Sequence, residues 1–214
     1  MQSSRRDFFK WMGGGATAVA AGDTLTRPAR AYASPPLSVS DDLGLHLLNR
    51  LSYGALPEDV TRLNEIGLAA YLEEQLAPES LDDPAMDEIM RTLPILSLDR
   101  QAVHTLGFDG RVYNSMMQGM IFRAVRSRRQ LYERMVEFWT DHFNIPAEDL
   151  SHDLVIMHRE VIRKHALGNF RELVIGTAQS PAMLYYLDQT YSEKDHPNEN
   201  YARELLELHT LGVD

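Results

Sequence analysis

The chain has no cysteine among its 214 residues. This absence excludes thiolate zinc sites, cysteine-bound iron–sulfur clusters, cysteine nucleophiles and disulfide bonds. With 44% hydrophobic and 24% charged residues, the composition is that of a folded globular protein. A disordered, collagen-like or multi-spanning membrane chain is excluded on the same ground. The length is sufficient for one domain with a buried core.

Basic residues are also scarce, with 21 Lys and Arg against 31 Asp and Glu and a formal net charge of −10. An acidic surface repels a phosphate backbone, so we predict no nucleic-acid partner. No Gly-x-Ser-x-Gly motif occurs, which leaves nucleophilic serine catalysis without support.

The first 33 residues carry the parts of an export signal in order. Arg5 and Arg6 precede an uncharged stretch over residues 11–21, and Ala31 and Ala33 form a small-x-small cleavage site. This is the layout of a twin-arginine signal. The uncharged stretch is shorter than the roughly 20 apolar residues that a bilayer span requires, so no stable membrane span is predicted. We expect cleavage after residue 33, passage through the twin-arginine translocase, and a periplasmic or secreted location.

Cleavage would leave residues 34–214 with 16 basic and 29 acidic side chains, a net charge of −13. The twin-arginine route carries folded proteins. Its use therefore suggests either a cofactor inserted in the cytoplasm or a fold that forms too fast to be threaded. The lack of cysteine agrees with a chain that folds before it reaches an oxidising compartment.

The mature chain has helical periodicity almost throughout. Apolar residues recur at three- and four-residue spacing, as at Leu43, Leu47 and Leu51, and no strand alternation is present. Proline and glycine separate the segments. We predict an all-α, multi-helix globular domain of short helices over residues 34–214. Residues 78–110 have the weakest periodicity and are expected to form a mobile or variable insert.

Two helix starts are visible in the sequence. Pro57 followed by Glu58 and Asp59 suits a first helical turn, because proline fits there and carboxylates favour the positive end of the dipole. Near the C-terminus, Asn198 is a candidate N-cap. The helix after it carries a four-residue ladder on one face, Glu199, Arg203 and Glu207. Its opposite face is expected to enter a core through Ala202, Leu205, Leu206 and His209.

Five blocks of sequence together resemble a known family. They are residues 46–54 (HLLNRLSYG), 67–76 (GLAAYLEEQL), 138–143 (FWTDHF), 180–188 (SPAMLYYLD) and 198–208 (NENYARELLEL). In this order they are similar to the large bacterial family catalogued as domain of unknown function 1800. The resemblance implies an exported helical protein, often made beside another twin-arginine-exported partner, with no established reaction. Family members extend further than residue 214, so the resemblance also implies that the chain is a fragment truncated at its C-terminus.

The densest polar motif is a candidate binding site near the C-terminus. An arginine there could fix an anionic group while a glutamate acts as a general base. In the alternative interpretation the asparagines cap the helix and Arg203 pairs with Glu199, Glu207 or a buried Asp188. The candidate residues are Asn198, Glu199, Asn200, Arg203, Glu204 and Glu207.

Histidines and carboxylates in the second half could bind a divalent transition metal. Cysteine-free helical proteins build zinc, manganese or iron sites from such residues on facing helices. His158 and His165 are seven residues apart, which places them on one helix face. No His-Glu-x-x-His pattern is present, and caps or core polar groups are the alternative. The candidate ligands are His142, His165, Asp188 and Glu204.

Two further patterns have alternative interpretations. A basic cluster could bind an anionic polysaccharide or an acidic partner, or it could be a solvated helix junction paired with acids such as Glu133 and Glu137. Tyr185 and Tyr186 could stack on a sugar or cofactor, or belong to a core helix. The basic cluster comprises Arg123, Arg126, Arg128, Arg129 and Arg134.

Two functions from different classes follow. The first is a cell-envelope binding or assembly component that acts with a co-exported partner. The alternative is an exported metal- or cofactor-dependent enzyme that uses the histidine and carboxylate residues.

Overall fold

A computed structural model describes residues 39–106, 110–146 and 151–212. The predicted export signal, with Arg5, Arg6, Ala31 and Ala33, lies outside these residues. Every regular element in the described part is helical, and none is a strand. The prediction of an all-α fold built from short helices is therefore confirmed.

The α-helices are numbered here in chain order. The first half contains α1 (Val39–Leu51), α2 (Pro57–Ile66), α3 (Leu68–Leu76), α4 (Pro84–Arg91), α5 (Arg100–Thr105) and α6 (Gly110–Arg126). The second half contains α7 (Gln130–His142), α8 (Ser151–Met157), α9 (Arg163–His165), α10 (Phe170–Ala178), α11 (Pro181–Tyr186) and α12 (Asn200–Glu207). Single 3₁₀ turns lie at Pro78–Ser80, Pro94–Ser97 and Gln189–Tyr191.

Both helix starts that the sequence indicates are present. Helix α2 begins at Pro57 with Glu58 and Asp59 in its first turn. Before α12, the Asn198 side chain accepts a hydrogen bond from the backbone N–H of Asn200 at 2.8 Å. This bond satisfies one of the free donors at the start of the helix, but Asn198 lies one residue before the N-cap position, which Glu199 occupies.

Two groups of apolar side chains form the interior. The smaller one joins α1, α2 and α3 through Leu48, Leu63 and Tyr71. The larger one draws on helices from α5 to α11 and places their most buried side chains in contact. Its fully buried members include Val103, Val112, Val136, Leu173 and Ala182.

Within the segment expected to be a mobile or variable insert, residues 78–106 contribute side chains to the interior. Val103 of α5 is completely buried, and Leu81, Met86 and Leu93 are less than 10% exposed. Its periodicity is weak in the sequence because short turns at proline residues divide it. Helices α4 and α5 still each direct one apolar side chain inward, Met86 and Val103.

A buried carboxylate holds the turn between α6 and α7. Asp83 accepts hydrogen bonds from the Ser127 hydroxyl at 2.8 Å and from the backbone N–H of Arg128 at 2.9 Å. Gln75 of α3 receives the backbone N–H of Leu131 and donates to the carbonyl of Arg128. These bonds pair the free backbone groups of the turn, so α6 and α7 are fixed relative to each other.

Helix α8 continues into α9 through one π-helical turn, His158–Ile162. The backbone N–H of Arg163 donates to the carbonyl of His158, five residues earlier, which defines the wider turn. The wider turn changes the angular positions of the residues after it around the helix axis. His158 and His165 therefore do not lie on the same helix face. His158 is 4% exposed, whereas His165 is half-buried.

Among the described residues, no helix is both long enough and apolar enough to cross a bilayer.

Candidate functional site

A cavity of about 280 Å³ lies where α6, α7 and the π-helical turn meet. Its walls combine apolar side chains with an unusual number of cationic ones. Lys164 is exposed and lines the cavity, so the cavity reaches solvent on that side. The cationic lining residues are Arg123, Arg159, Arg163 and Lys164.

Glu133 and Arg163 form a bidentate ion pair behind this wall. The two guanidinium nitrogens of Arg163 donate to the two carboxylate oxygens of Glu133 at 2.7 and 2.8 Å. The Tyr132 hydroxyl donates to the Arg163 carbonyl at 2.6 Å, and the guanidinium lies 5.0 Å from the Tyr132 ring centroid. Both side chains are therefore fixed in position, and both oxygens of Glu133 are occupied.

Arg123 shares the same carboxylate at a longer distance. Its Nε lies 4.0 Å from Glu133, and no shorter contact to an acid is present among the described residues. Burial, together with the charge of Arg163, lowers the pKa of the Arg123 guanidinium to about 10. Arg123 remains protonated at neutral pH, so two half-buried cations face one anion.

His158 provides an unpaired polar atom in the same wall. Its Nε2 is buried and has no hydrogen-bond partner in the described part of the chain. Burial, with the charges of Arg163 and Arg123, lowers the pKa of His158 to about 3. The imidazole is therefore neutral at physiological pH, with one ring nitrogen able to donate a proton to a hydrogen bond.

Arg159 is fully engaged in structural contacts. One guanidinium nitrogen donates to the carbonyls of Leu96 and Leu98 at 3.1 and 2.6 Å, and another pairs with Glu160 at 2.8 Å. Arg159 therefore links the 3₁₀ turn Pro94–Ser97 to the π-helical turn. The uncompensated charge at the cavity comes from Arg123.

The predicted polar site near the C-terminus comes together around Arg203. Its guanidinium donates to the Asn200 side chain at 2.8 Å and lies 3.0 Å from Glu204, 3.4 Å from Glu207 and 3.6 Å from Glu199. These are the contacts expected if the cluster caps and stabilises α12. The alternative, an anion pocket with a glutamate base, stays a prediction.

Asp188 is not the buried partner of Arg203 that one interpretation predicted. It is exposed and adopts a left-handed conformation with φ of 58° at the end of α11. Its carbonyl accepts from the Asn198 side chain at 3.4 Å. The residue forms a turn, because aspartate tolerates this backbone conformation better than most side chains.

His142 connects α7 to the end of α12. Its Nε2 donates to the carbonyl of His209 at 3.0 Å, and the two rings are 5.8 Å apart. Burial, followed by the charge of His142, lowers the pKa of His209. The Nδ1 of His209 is buried without a partner among the described residues. Because Nε2 of His142 is used as a donor, it is not available as a metal ligand.

The four residues predicted to bind a metal are not brought together. Across the described ranges, no three histidine, aspartate or glutamate side chains are placed to share a metal ion. His142 binds a carbonyl, Glu204 pairs with Arg203, and Asp188 lies in an exposed turn. His165 is half-buried after the π-helical turn. A metal- or cofactor-dependent activity stays a prediction that no contact in this region favours.

The arginines of the basic cluster make different kinds of contact. Arg128 and Arg129 hold the turn after α6 by donating to the carbonyls of Asp82 and Leu81, while Arg134 pairs with Glu137 at 2.9 Å. These contacts agree with a helix junction. Arg123 departs from that interpretation, because it points into the cavity and its nearest acid is already occupied by Arg163.

An apolar surface remains open around the end of α12. The expectation that Ala202 and Leu206 enter a core is wrong, since both are exposed. The His142–His209 contact brings α7 beside this helix end, and the ring centroids of Phe138 and Phe170 lie 6.2 and 6.4 Å from that of His142. We call the exposed side chains here the C-terminal surface: Phe138, Phe170, Leu206, Leu208 and Leu211.

Tyr185 and Tyr186 do not belong to the core, although residues earlier in the same helix do. Ala182 and Met183 are buried, whereas Tyr185 and Tyr186 are exposed. Helix α11 is six residues long and directs only one side toward the interior. The two phenol rings are thus free for contacts with another molecule.

Most of the chain matches the model of a known protein family. A family model described as protein of unknown function (DUF1800) matches residues 46–214. The chain belongs to this family. No match was found among curated proteins or among solved structures.

In this DUF1800 chain, the cavity is the site that the sequence did not indicate. Arg123, Glu133 and Arg163 come from three separate segments, and their contact depends on how α6, α7 and the π-helical turn pack. One signal was present: Arg123 belongs to the basic cluster that could bind an anionic partner, and Glu133 is one of the acids expected to pair with that cluster.

Proposed function

We propose that this DUF1800 chain is a cell-envelope binding or assembly component that docks a co-exported protein through the C-terminal surface. The observation that carries the proposal is the open apolar face at the end of α12. Leu206 and Leu208 are 52% and 58% exposed, and Leu211 is 82% exposed. Apolar side chains grouped in this way are typical of a surface that another protein covers.

The surface is prepared for binding by the contacts beneath it. The His142–His209 hydrogen bond fixes the end of α12 against α7. The backbone N–H groups of Leu211 and Gly212 both donate to the carbonyl of Leu206, and Gly212 has φ of 95°. This helix-ending turn holds Leu206 and Leu211 close together, so little ordering is required on binding.

The partner expected here is a protein with an apolar patch at the centre of its binding surface. Phe138 and Leu208 offer an aromatic and an aliphatic anchor, which suits the dry centre of a protein interface. Arg203, Glu199 and Glu207 border the apolar face with charges of both signs. Such a border favours a specific protein over a lipid surface.

Co-expression of the full chain with the exported protein encoded beside it tests this function. We expect a complex of defined stoichiometry by size-exclusion chromatography with light scattering. Phe138→Glu and Leu208→Glu should each weaken it at least tenfold. Leu76→Glu is the matched control, because Leu76 is 51% exposed on α3, outside the C-terminal surface, and it should bind normally.

Two results would contradict the docking proposal. One is the absence of a complex with the unmodified chain. The other is equal loss of binding in Leu76→Glu and Leu208→Glu. Formation of a dimer of this chain alone, abolished by Leu208→Glu, would replace the proposed partner with a second copy.

Export is proposed on the sequence pattern at the N-terminus. Residues 1–33 act as a cleavable twin-arginine signal that sends the folded chain to the periplasm or the medium. Replacing Arg5 and Arg6 with lysine should retain the uncleaved precursor in the cytoplasm, as seen by fractionation and immunoblotting. Normal export and processing of that variant would refute the signal.

A further inference from the structure

The cavity between α6, α7 and the π-helical turn has an unbalanced charge. Arg163 occupies both oxygens of Glu133 at 2.7 and 2.8 Å, and Arg123 reaches the same carboxylate only at 4.0 Å. The side chains of Arg123 and Arg163 are 17% and 15% exposed, so water screens them weakly. One positive charge in this half-buried pair is therefore left over, and such a charge is costly unless an anion or water compensates it.

His158 adds a directed polar group to the same wall. Its Nε2 has no partner among the described residues although the residue is 4% exposed. Most buried polar atoms in folded proteins are paired, so the unpaired Nε2 of a residue that lines the cavity indicates a missing partner. The π-helical turn places His158 and Arg163 beside each other, and π turns in helices are frequently found at functional sites.

We propose that this cavity binds a small oxyanion, the carboxylate or phosphate group of a small molecule, between Arg123 and His158. The Arg123 guanidinium supplies parallel N–H donors that match two oxygens of such a group. The neutral His158 ring donates from Nε2 to a third lone pair. Lys164, at the exposed side, attracts the anion and lines its entry.

The size and chemistry of the cavity limit the ligand. About 280 Å³ is close to the lower end of the range for small-molecule pockets, so a small molecule fits and a polymer does not. A metal cation is disfavoured, because four cationic side chains line the space. An uncharged apolar ligand would leave both Arg123 and His158 unpaired.

The binding test uses the full chain with inorganic phosphate and with acetate as separate probes. Sodium chloride at equal ionic strength is the reference. Thermal unfolding should show a saturable rise in Tm with at least one of the two oxyanions, and the responding probe identifies the group that is recognised. Absence of any rise above the chloride reference with both probes would overturn the proposal.

Variants assign the binding to the cavity. Arg123→Gln should weaken the apparent affinity at least tenfold, whereas Arg134→Gln should respond as the unmodified chain does. Arg134 is the matched control because it is a surface arginine of α7, 45% exposed and paired with Glu137. Equal responses of Arg123→Gln and the unmodified chain would contradict the assignment.

A second measurement requires no substitution. In nitrogen-15 NMR spectra of the histidine rings, the Nε2 signal of His158 should move on addition of the active oxyanion. The signal of His196, which is exposed, should stay in place. A shift at His196 without one at His158 would overturn the proposed position of the ligand.

Discussion

Two arginines share one glutamate in the interior of the domain. Glu133 is 6% exposed and accepts two hydrogen bonds from Arg163, while Arg123 lies at 4.0 Å. A buried ion pair adds little stability compared with apolar residues of similar shape, but removing one member leaves a charge without compensation. The Glu133 carboxylate is therefore the only group in this cluster that compensates the charge of the two arginines.

Glu133→Gln should be strongly destabilising, because it leaves two guanidinium groups buried without an anion. We expect a loss of about 3–5 kcal/mol in the free energy of unfolding. Urea denaturation measures it. Glu137→Gln, which breaks the exposed pair with Arg134, should change the value by less than about 1 kcal/mol. Similar losses in both variants would contradict the role given to Glu133.

His158 should make the stability depend on pH below about pH 6.5. Burial and the charges of Arg163 and Arg123 lower its folded pKa from 6.5 to about 3. The unfolded state therefore binds the extra proton between these values, and stability falls as the pH falls toward 3. The slope from this residue is about 1.4 kcal/mol per pH unit.

The His158→Gln variant isolates that contribution. Urea unfolding of both proteins between about pH 4.5 and pH 6.5 should show a shallower loss of stability for the variant. Burial also lowers the pKa of His209. Because His209 is present in both proteins, its contribution to the pH dependence cancels when the two are compared. Parallel pH profiles for the two proteins would show that His158 is not buried in its neutral form.

The sequence predicted residue roles only where contacts are local. Asn198 accepts a hydrogen bond from the start of α12, and Arg203 pairs with Glu199 and Glu207, because all of these lie within one or two helical turns. The Arg163–Glu133 pair spans 30 positions. Its formation depends on the packing of separate helices, which local spacing does not encode.

At the scale of elements, the π-helical turn packs closely against α10. Gly176 faces Val161 of this turn, and a Cβ added at Gly176 would lie 2.6 Å from Val161 Cγ1. Carbon atoms do not approach so closely, so either the Val161 side chain or one of the two helices would have to move. The absence of a side chain at position 176 is what allows the two elements to approach.

Gly176→Ala should therefore destabilise the protein even though alanine favours helices. We expect a loss of about 1–3 kcal/mol by urea denaturation, from overpacking against Val161. In a Val161→Ala background the same substitution should be less costly, because the clashing methyl groups are gone. An unchanged effect of Gly176→Ala in that background would rule out this contact as the cause.

The elements themselves were largely predictable, with two informative exceptions. Periodicity and proline positions indicated helices such as α1 and α2 because these signals act within a few residues. The π-helical turn was not predictable, so the assumption of regular helical spacing placed His158 and His165 on one face incorrectly. Residues 78–110 looked like an insert because each buried side chain there belongs to a different short turn.

At the scale of the whole molecule, the described residues combine a buried apolar interior with exposed apolar side chains around the end of α12. Val103, Val112 and Leu173 are fully buried, whereas the C-terminal surface is exposed. An amphipathic pattern identifies which side of α12 is apolar, but it does not say what covers that side. For this reason the sequence predicted burial of Leu206, and the structure shows it open to solvent.

The most direct test of docking at the C-terminal surface is hydrogen exchange of the full chain with and without its co-exported partner. Amides in α12 (Asn200–Glu207) should exchange at least about tenfold more slowly in the complex, because binding suppresses local opening. Amides in α3 (Leu68–Leu76) should not change. Unchanged exchange in α12, or equal slowing in α3 and α12, would contradict docking at this surface.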